Sequence, residues 1–389
     1  MKGAPIFAGS PIDLTLFFGI ATGLAVVTYS LSGRSYDWRA VACVIGLWAV
    51  FGIGAAMNIG TDRGAYKTAL LYTLTLLCAL GPCLLLASAR AQRLWLYLAV
   101  AGGLAVAVET ILMRDATAWT VYHRLNVEGT STIGTARVIG AAAVVASVMT
   151  ALTFGRRRLW WCAVAVFCTG LVVMVGSRGP LISLALAVPV ALFLSKAMYG
   201  RRVAALAMGI IVVIASAWAV VESSVRHSVR ISRFMAGDVT DLAREALLRE
   251  ALSVIGRNPL GLGWDGFIAI PAIQFNYAGR DRPIYPHNFL LEIFVEGGWL
   301  AGALVLVLVA LSIRGFVLNS RTSESTAVLG LGIYWIAAAQ TSSDINGNRT
   351  TWVMLVLGLM YYLRERGERR AARAVSAGER VGWRQVSPP

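Results

Sequence analysis

Apolar residues run along this chain in blocks separated by short polar links, from Ile12 to Leu363. A helix of about 20 apolar residues fills a hydrocarbon core about 30 Å thick. The pattern predicts membrane spans over 12–31, 40–58, 67–88, 94–112, 133–153, 159–176, 180–195, 203–221, 299–313, 326–343 and 350–363. Several are short for the core, which tilt or local thinning accommodates. The predicted fold class is all-α: a polytopic transmembrane helical protein of about 11–12 spans. One long polar interruption divides it. Residues 1–221 are N-terminal transmembrane helices, 222–298 one large extracytoplasmic loop containing short helices, 299–363 C-terminal transmembrane helices, and 364–389 a basic tail.

Inside the loop the period changes. From Asp241 to Ile255, residues Leu242, Leu248, Leu252 and Ile255 fall at mostly helical spacing, with Asp238 or Asp241 as N-cap. Asn258-Pro259 ends that helix, and Gly261 and Gly263 mark a turn. A second helix begins between Pro286 and Glu296. The tail after Leu363 is rich in Gly, Ala and Arg and is expected to be a disordered cytoplasmic segment lying against anionic lipid.

Composition agrees with the pattern: of 389 residues, 57% are hydrophobic and 14% charged, against about 25% charged in a soluble domain. The net charge of +15 would raise nucleic acid in a soluble protein. Here the basic residues sit in alternate links, which excludes that reading. One set holds Arg34 and Arg39, Arg90 and Arg93, Arg156–Arg158, Lys196 with Arg201 and Arg202, Arg314 and Arg321, and the tail arginines. Those links are expected to be cytoplasmic. The opposite set holds Asp62 and Arg63, 114–132, Ser177–Gly179 and 344–349, and parity puts 222–298 with it. Eleven spans give an outward N-terminus, which Lys2 opposes; twelve with both ends inside is the variant. Lys2 and the run from Ile12 do not make a cleaved signal peptide, because further spans follow at once. The five cysteines, Cys43, Cys78, Cys83, Cys162 and Cys168, lie in apolar segments without metal-site or disulfide spacing.

The candidate chemistry is sparse. His123, His227 and His287 form no HExxH or metal-ligand spacing. Gly261-Leu262-Gly263 lacks the third glycine, preceding strand and downstream acid of a dinucleotide site. No GKS or GKT is present to serve an ATP-driven pump. Arg178, in Ser177-Arg178-Gly179-Pro180, stands between two apolar runs. It either snorkels from a tight turn or acts as a fixed cation for an anionic headgroup, to which arginine bonds bidentately. His287 opens a short helix before a span. It is either a packed structural histidine or a general base. Asn288 is placed to cap that helix, and Glu292 and Glu296, one turn apart, to orient a substrate or pair with an arginine.

Three blocks resemble the O-antigen ligase and polymerase superfamily of bacterial membrane glycosyltransferases. They are Ser177–Gly179; Arg244 to Ile255 running on through Arg257-Asn258-Pro259-Leu260-Gly261-Leu262-Gly263; and Pro286-His287-Asn288-Phe289-Leu290-Leu291-Glu292 with Glu296-Gly297-Gly298. Their order around one outer loop matches as well, and Leu248 departs from the aromatic residue often found there. The resemblance implies glycan transfer from an undecaprenyl-diphosphate-linked donor at the periplasmic face of the inner membrane, with no cofactor and no metal. It implies that Arg178 and Arg244 bind the diphosphate, that His287 activates the acceptor hydroxyl, and that Asn288 positions. A ligase would take lipid A–core as acceptor. A polymerase, of O-antigen or exopolysaccharide, would take a lipid-linked repeat unit. The compact, basic chain is closer to the ligases. A transporter of lipid-linked sugars is the alternative of another class; it would show internal repeats and midplane polar residues, and neither is visible here.

Overall fold

The computed structural model describes residue 24, residues 37–86, 88–113, 131–198, 239–270, 273 and 285–384; the side chains of 239–244 and 374–384 lie outside that description. The predicted spans at 12–31 and 203–221 fall outside the described residues, apart from Leu24.

The described chain is helical throughout, without β-sheet. α1 is Trp38–Asn58, α2 Asp62–Leu85 with a π-turn at Leu71–Thr75, α3 Ala89–Leu112, α4 Thr132–Leu152, α5 Arg156–Val175 and α6 Arg178–Leu194. After the undescribed stretch come α7 (Val239–Arg257), α8 (Phe289–Asn319), α9 (Ser323–Ala339) and α10 (Arg349–Arg384). Every remaining predicted span falls on one of these helices. Six of them, α1 to α5 and α8, are long and apolar enough to cross a membrane. The protein is a polytopic helical membrane protein.

α4 is the central post. In its most apolar window 72% of residues are buried, against 33–39% in the other five. Its sequence explains this: Ala136, Ala141, Ala142, Ala143 and Ala146 are fully or nearly fully buried, and small side chains let neighbouring backbones approach closely. α3, α5, α6 and α9 pack around it. A second core joins α1, α2, α8 and α10. There the rings of Trp48, Phe51, Trp264, Phe289 and Trp352 interlock at centroid separations of 5.1–5.9 Å. Edge-to-face contacts of this kind add to the area they bury.

Contacts between links sort the bundle into two ends. At one end, Asn58 Nδ2 donates to Trp264 O, Lys67 pairs with Glu292 and Glu296, and Asn288 Nδ2 donates to Gln340 O. At the other, Lys196 N donates to Ser320 O, and Glu365 bonds Arg321. The loop residues after α7 and the start of α8 are all at the first end.

One expectation changes. The tail predicted to be disordered continues as helix, α10 running without a break to Arg384. Its arginines alternate with helix-forming Ala and Glu, and Arg369 pairs with Glu365 one turn before it. α7 is the helix that the spacing predicts, and its packed face is set by other residues than most of those that carried the spacing. Leu248 and Leu252 are exposed, while Leu247, Ala251 and Val254 are buried against Phe267 and Val295.

Candidate functional site

The third sequence block is a helix start followed by a break. Tyr285 and Pro286 lead in, and His287 takes a left-handed φ of 55°, a conformation uncommon for a residue with a Cβ but one in which His is enriched. Asn288 is the N-cap: its Oδ1 accepts from Leu291 N at 3.0 Å, as the sequence suggested. α8 then runs for about two turns and breaks at Gly298, where φ is 82° and ψ 179°. That region belongs almost wholly to glycine, and a Cβ there would press on the backbone of Leu260 and Pro259.

The break explains the second block. A helix interrupted at Gly298 leaves carbonyls unsatisfied. Val295 O accepts from Leu262 N at 2.8 Å and Glu296 O from Gly263 N at 3.0 Å, while Trp299 N donates to Pro259 O at 2.8 Å. Gly261 and Gly263 make the predicted turn, both with positive φ. Trp264, fully buried, completes the dock: its Nε1 donates to Phe51 O at 3.0 Å. The Asn258–Trp264 loop is thus stitched onto the α8 break and the end of α1.

Glu292 and Glu296 pair with a lysine and not with an arginine. Lys67 Nζ of α2 lies 2.6 Å from Glu292 Oε1 and 2.6 Å from Glu296 Oε2, with both carboxyls buried. Asp265 N donates to the same Glu296 oxygen at 3.1 Å. Asp265 itself has a φ of 66°. Burial holds its carboxyl above the usual range, with Lys67 and Arg63 pulling the other way. Through these two contacts the glutamates tie the short first segment of α8 to α2.

The first block is a corner. α5 ends at Gly176 in the left-handed region, Ser177 is the N-cap of α6, and Arg178 is its first residue, with an exposed side chain. Gly179 packs against Thr341; a Cβ would collide with the threonine side chain. The neighbouring Gln340 meets the His287 helix start: Asn288 Nδ2 donates to its backbone oxygen at 3.3 Å and Leu290 N to its Oε1 at 3.4 Å. The Arg178 corner and the His287 start are thereby brought to adjacent residues of the α9–α10 link. The His287 ring lies 4.4 Å from that of Tyr285, tilted by 54°.

Arg244 is on α7, with its side chain outside the described residues. α7 packs on the first segment of α8 through Val295. Sequence reasoning passed over Lys67, Arg137 and the 340–348 link. The signal was present: Lys67 and Arg137 are ionisable residues inside or beside apolar runs, and such residues mark sites by default. Among the described residues no group of three or more His, Cys, Asp and Glu is placed to hold a metal ion.

Helices, break and paired corners define a multi-pass membrane protein in which the Arg178 corner and the His287 helix start lie at one end of the bundle. A family model described as O-Antigen ligase matches residues 163–306, a stretch containing all three blocks. The match supports the general glycan-transfer superfamily at the level of class. No curated protein and no solved structure matches the chain.

Proposed function

We propose that this chain is an O-antigen ligase-like glycosyltransferase of the bacterial inner membrane. In this reading it moves a glycan from undecaprenyl diphosphate to a sugar hydroxyl of lipid A–core, at the periplasmic face. The observation that carries the reading is the meeting of the Arg178 corner and the His287 helix start across Gln340 and Thr341, inside a chain matched to the O-antigen ligase family. Orientation rests on charge: the opposite end holds Arg90, Arg93, Arg156–Arg158, Lys196 and Arg321, the signature of the cytoplasmic side.

The chemistry is a substitution at the anomeric carbon. His287 accepts the proton of the acceptor hydroxyl, whose oxygen forms the new glycosidic bond. The bond from the anomeric carbon to the diphosphate breaks, and its electron pair leaves on the diphosphate oxygen. Arg178 and Arg244 stabilise that charge as it develops. Asn288 holds the helix start. A lipid diphosphate is already a good leaving group, so the scheme draws on no nucleotide and no metal.

The test is reconstitution of the full chain with undecaprenyl-diphosphate-linked glycan and two rival acceptors. Transfer to lipid A–core is expected, unaffected by EDTA and lost as pH falls below the range in which imidazole is neutral. His287→Ala should still bind donor but transfer little, and Arg178→Lys and Arg244→Lys should rescue poorly because the guanidinium fork is gone. Transfer only to a lipid-linked repeat unit would replace the ligase by a polymerase. A well-folded His287→Ala protein with full transfer would reject the base.

A further inference from the structure

α4, the most buried of the six membrane-length helices, carries Arg137 with 4% of its surface exposed. A guanidinium this deep ordinarily meets a carboxylate. Among the described residues Arg137 meets only neutral oxygens. Nη1 donates to Asn348 Oδ1 at 3.1 Å, and Nη2 donates to Ser342 O at 2.7 Å and to Ala338 O. In return Arg137 O accepts from the Tyr334 hydroxyl at 3.0 Å.

The acceptors share one origin. Ala338 is in the last turn of α9, where carbonyls lack helical partners and the helix dipole is negative. Ser342 and Asn348 belong to the link that follows, and Asn348 folds its amide back onto Asp344 O at 2.9 Å. Arg137 thus closes the end of α9 and ties both ends of the 340–348 link to α4. A planar fork can reach acceptors that far apart in sequence; a single ammonium reaches fewer of them.

The same link holds the pieces of the site. Gln340 bonds the Asn288 side chain and Leu290 N, Thr341 packs on Gly179, and Asn346 Nδ2 donates to Lys67 O at 3.0 Å while its Oδ1 accepts from Thr75. We propose that Arg137 is a positioning residue: by anchoring residues 338–348 to α4 it sets the placement of the Arg178 corner relative to the His287 helix start. The inference rests on the reading of Arg178 and His287 as the groups that handle substrate. It adds a residue that touches neither.

The test compares the full-length wild type with Arg137→Lys, Arg137→Gln and Gln340→Ala in nanodiscs, by amide hydrogen exchange and by transfer kinetics. In Arg137→Gln, exchange should rise together at 285–291 and 338–348, with α3 and α5 unchanged. kcat should fall on the order of 10- to 100-fold, because misplacement by about 1 Å costs that much, while the donor KM stays within about threefold. Arg137→Lys should lie between the two. Gln340→Ala, which leaves the α4 core alone, should loosen 285–291 and lower kcat even where Arg137→Gln does not insert. Unchanged exchange at 285–291 in Arg137→Gln and Gln340→Ala would overturn the proposal, as would exchange rising equally in every helix or an unchanged kcat. A wild type that transfers to neither acceptor would instead overturn the glycosyltransferase reading, and exchange alone would then decide whether Arg137 anchors the link.

Discussion

At the residue scale, Lys67, Glu292 and Glu296 carry the sharpest energetic consequence. Two buried carboxyl groups share one ammonium, each at 2.6 Å. Removing the lysine leaves two buried carboxyl groups without their cation in a low-dielectric interior, and breaking a buried pair this way costs about 3–5 kcal/mol. Lys67→Met should therefore lower the thermal midpoint in detergent strongly. The triple variant Lys67→Met, Glu292→Gln, Glu296→Gln should recover much of that loss, because no bare charge remains. Equal destabilisation of the single and triple variants would mean that shape, not charge, governs the site. Glu296 was legible in sequence as a polar residue on the short helix, but its partner was not. Lys67 stands 229 residues away along the chain, and no local pattern links the two.

At the element scale, α7 shows how periodicity finds a helix without fixing which face packs. Spacing located the helix and its end at Asn258-Pro259, and the helix runs from Val239 to Arg257. The spacing of Leu242, Leu248, Leu252 and Ile255 did not say which face packs: Leu248 is 40% exposed and Leu247 only 3%. In a soluble protein the largest apolar residues mark the core. Beside a bilayer, apolar residues are stable on the outside as well, so the signal loses its direction. Leu247→Ala should cost about 2–5 kcal/mol, the range for a buried leucine, and Leu248→Ala no more than about 0.5 kcal/mol. Thermal unfolding of the two purified variants checks this, and a reversed order would mean that the other face is packed.

At the scale of the whole molecule, alternate links gather at two ends, and the basic links share the end opposite His287. Cysteines placed at Leu260 and at Phe154, in a background lacking the five native cysteines, test the orientation. Both positions are exposed. An impermeant maleimide added to spheroplasts should label Leu260→Cys at once and Phe154→Cys only after lysis. The reverse order would turn the protein over and end the periplasmic reading.

The sequence by itself determined the class of this protein: apolar blocks of membrane length, the alternation of basic links, and the order of three polar blocks around one long segment. Each is a local property, set by how many residues fill a hydrocarbon core or by which residues end a helix. The Asn288 cap and the Gly261–Gly263 turn were legible for the same reason. Only the tertiary structure decided what those blocks meet. It placed the Asn258–Trp264 loop on the broken end of α8, where freed carbonyls require donors, and joined the Arg178 corner to the His287 start through a link with no motif of its own. It also turned Arg137 and Lys67, two cations beside or inside apolar runs, into the anchors of that arrangement. Partners hundreds of residues apart are chosen by packing, because a buried polar group must find whatever complementary atom the folded bundle brings within reach.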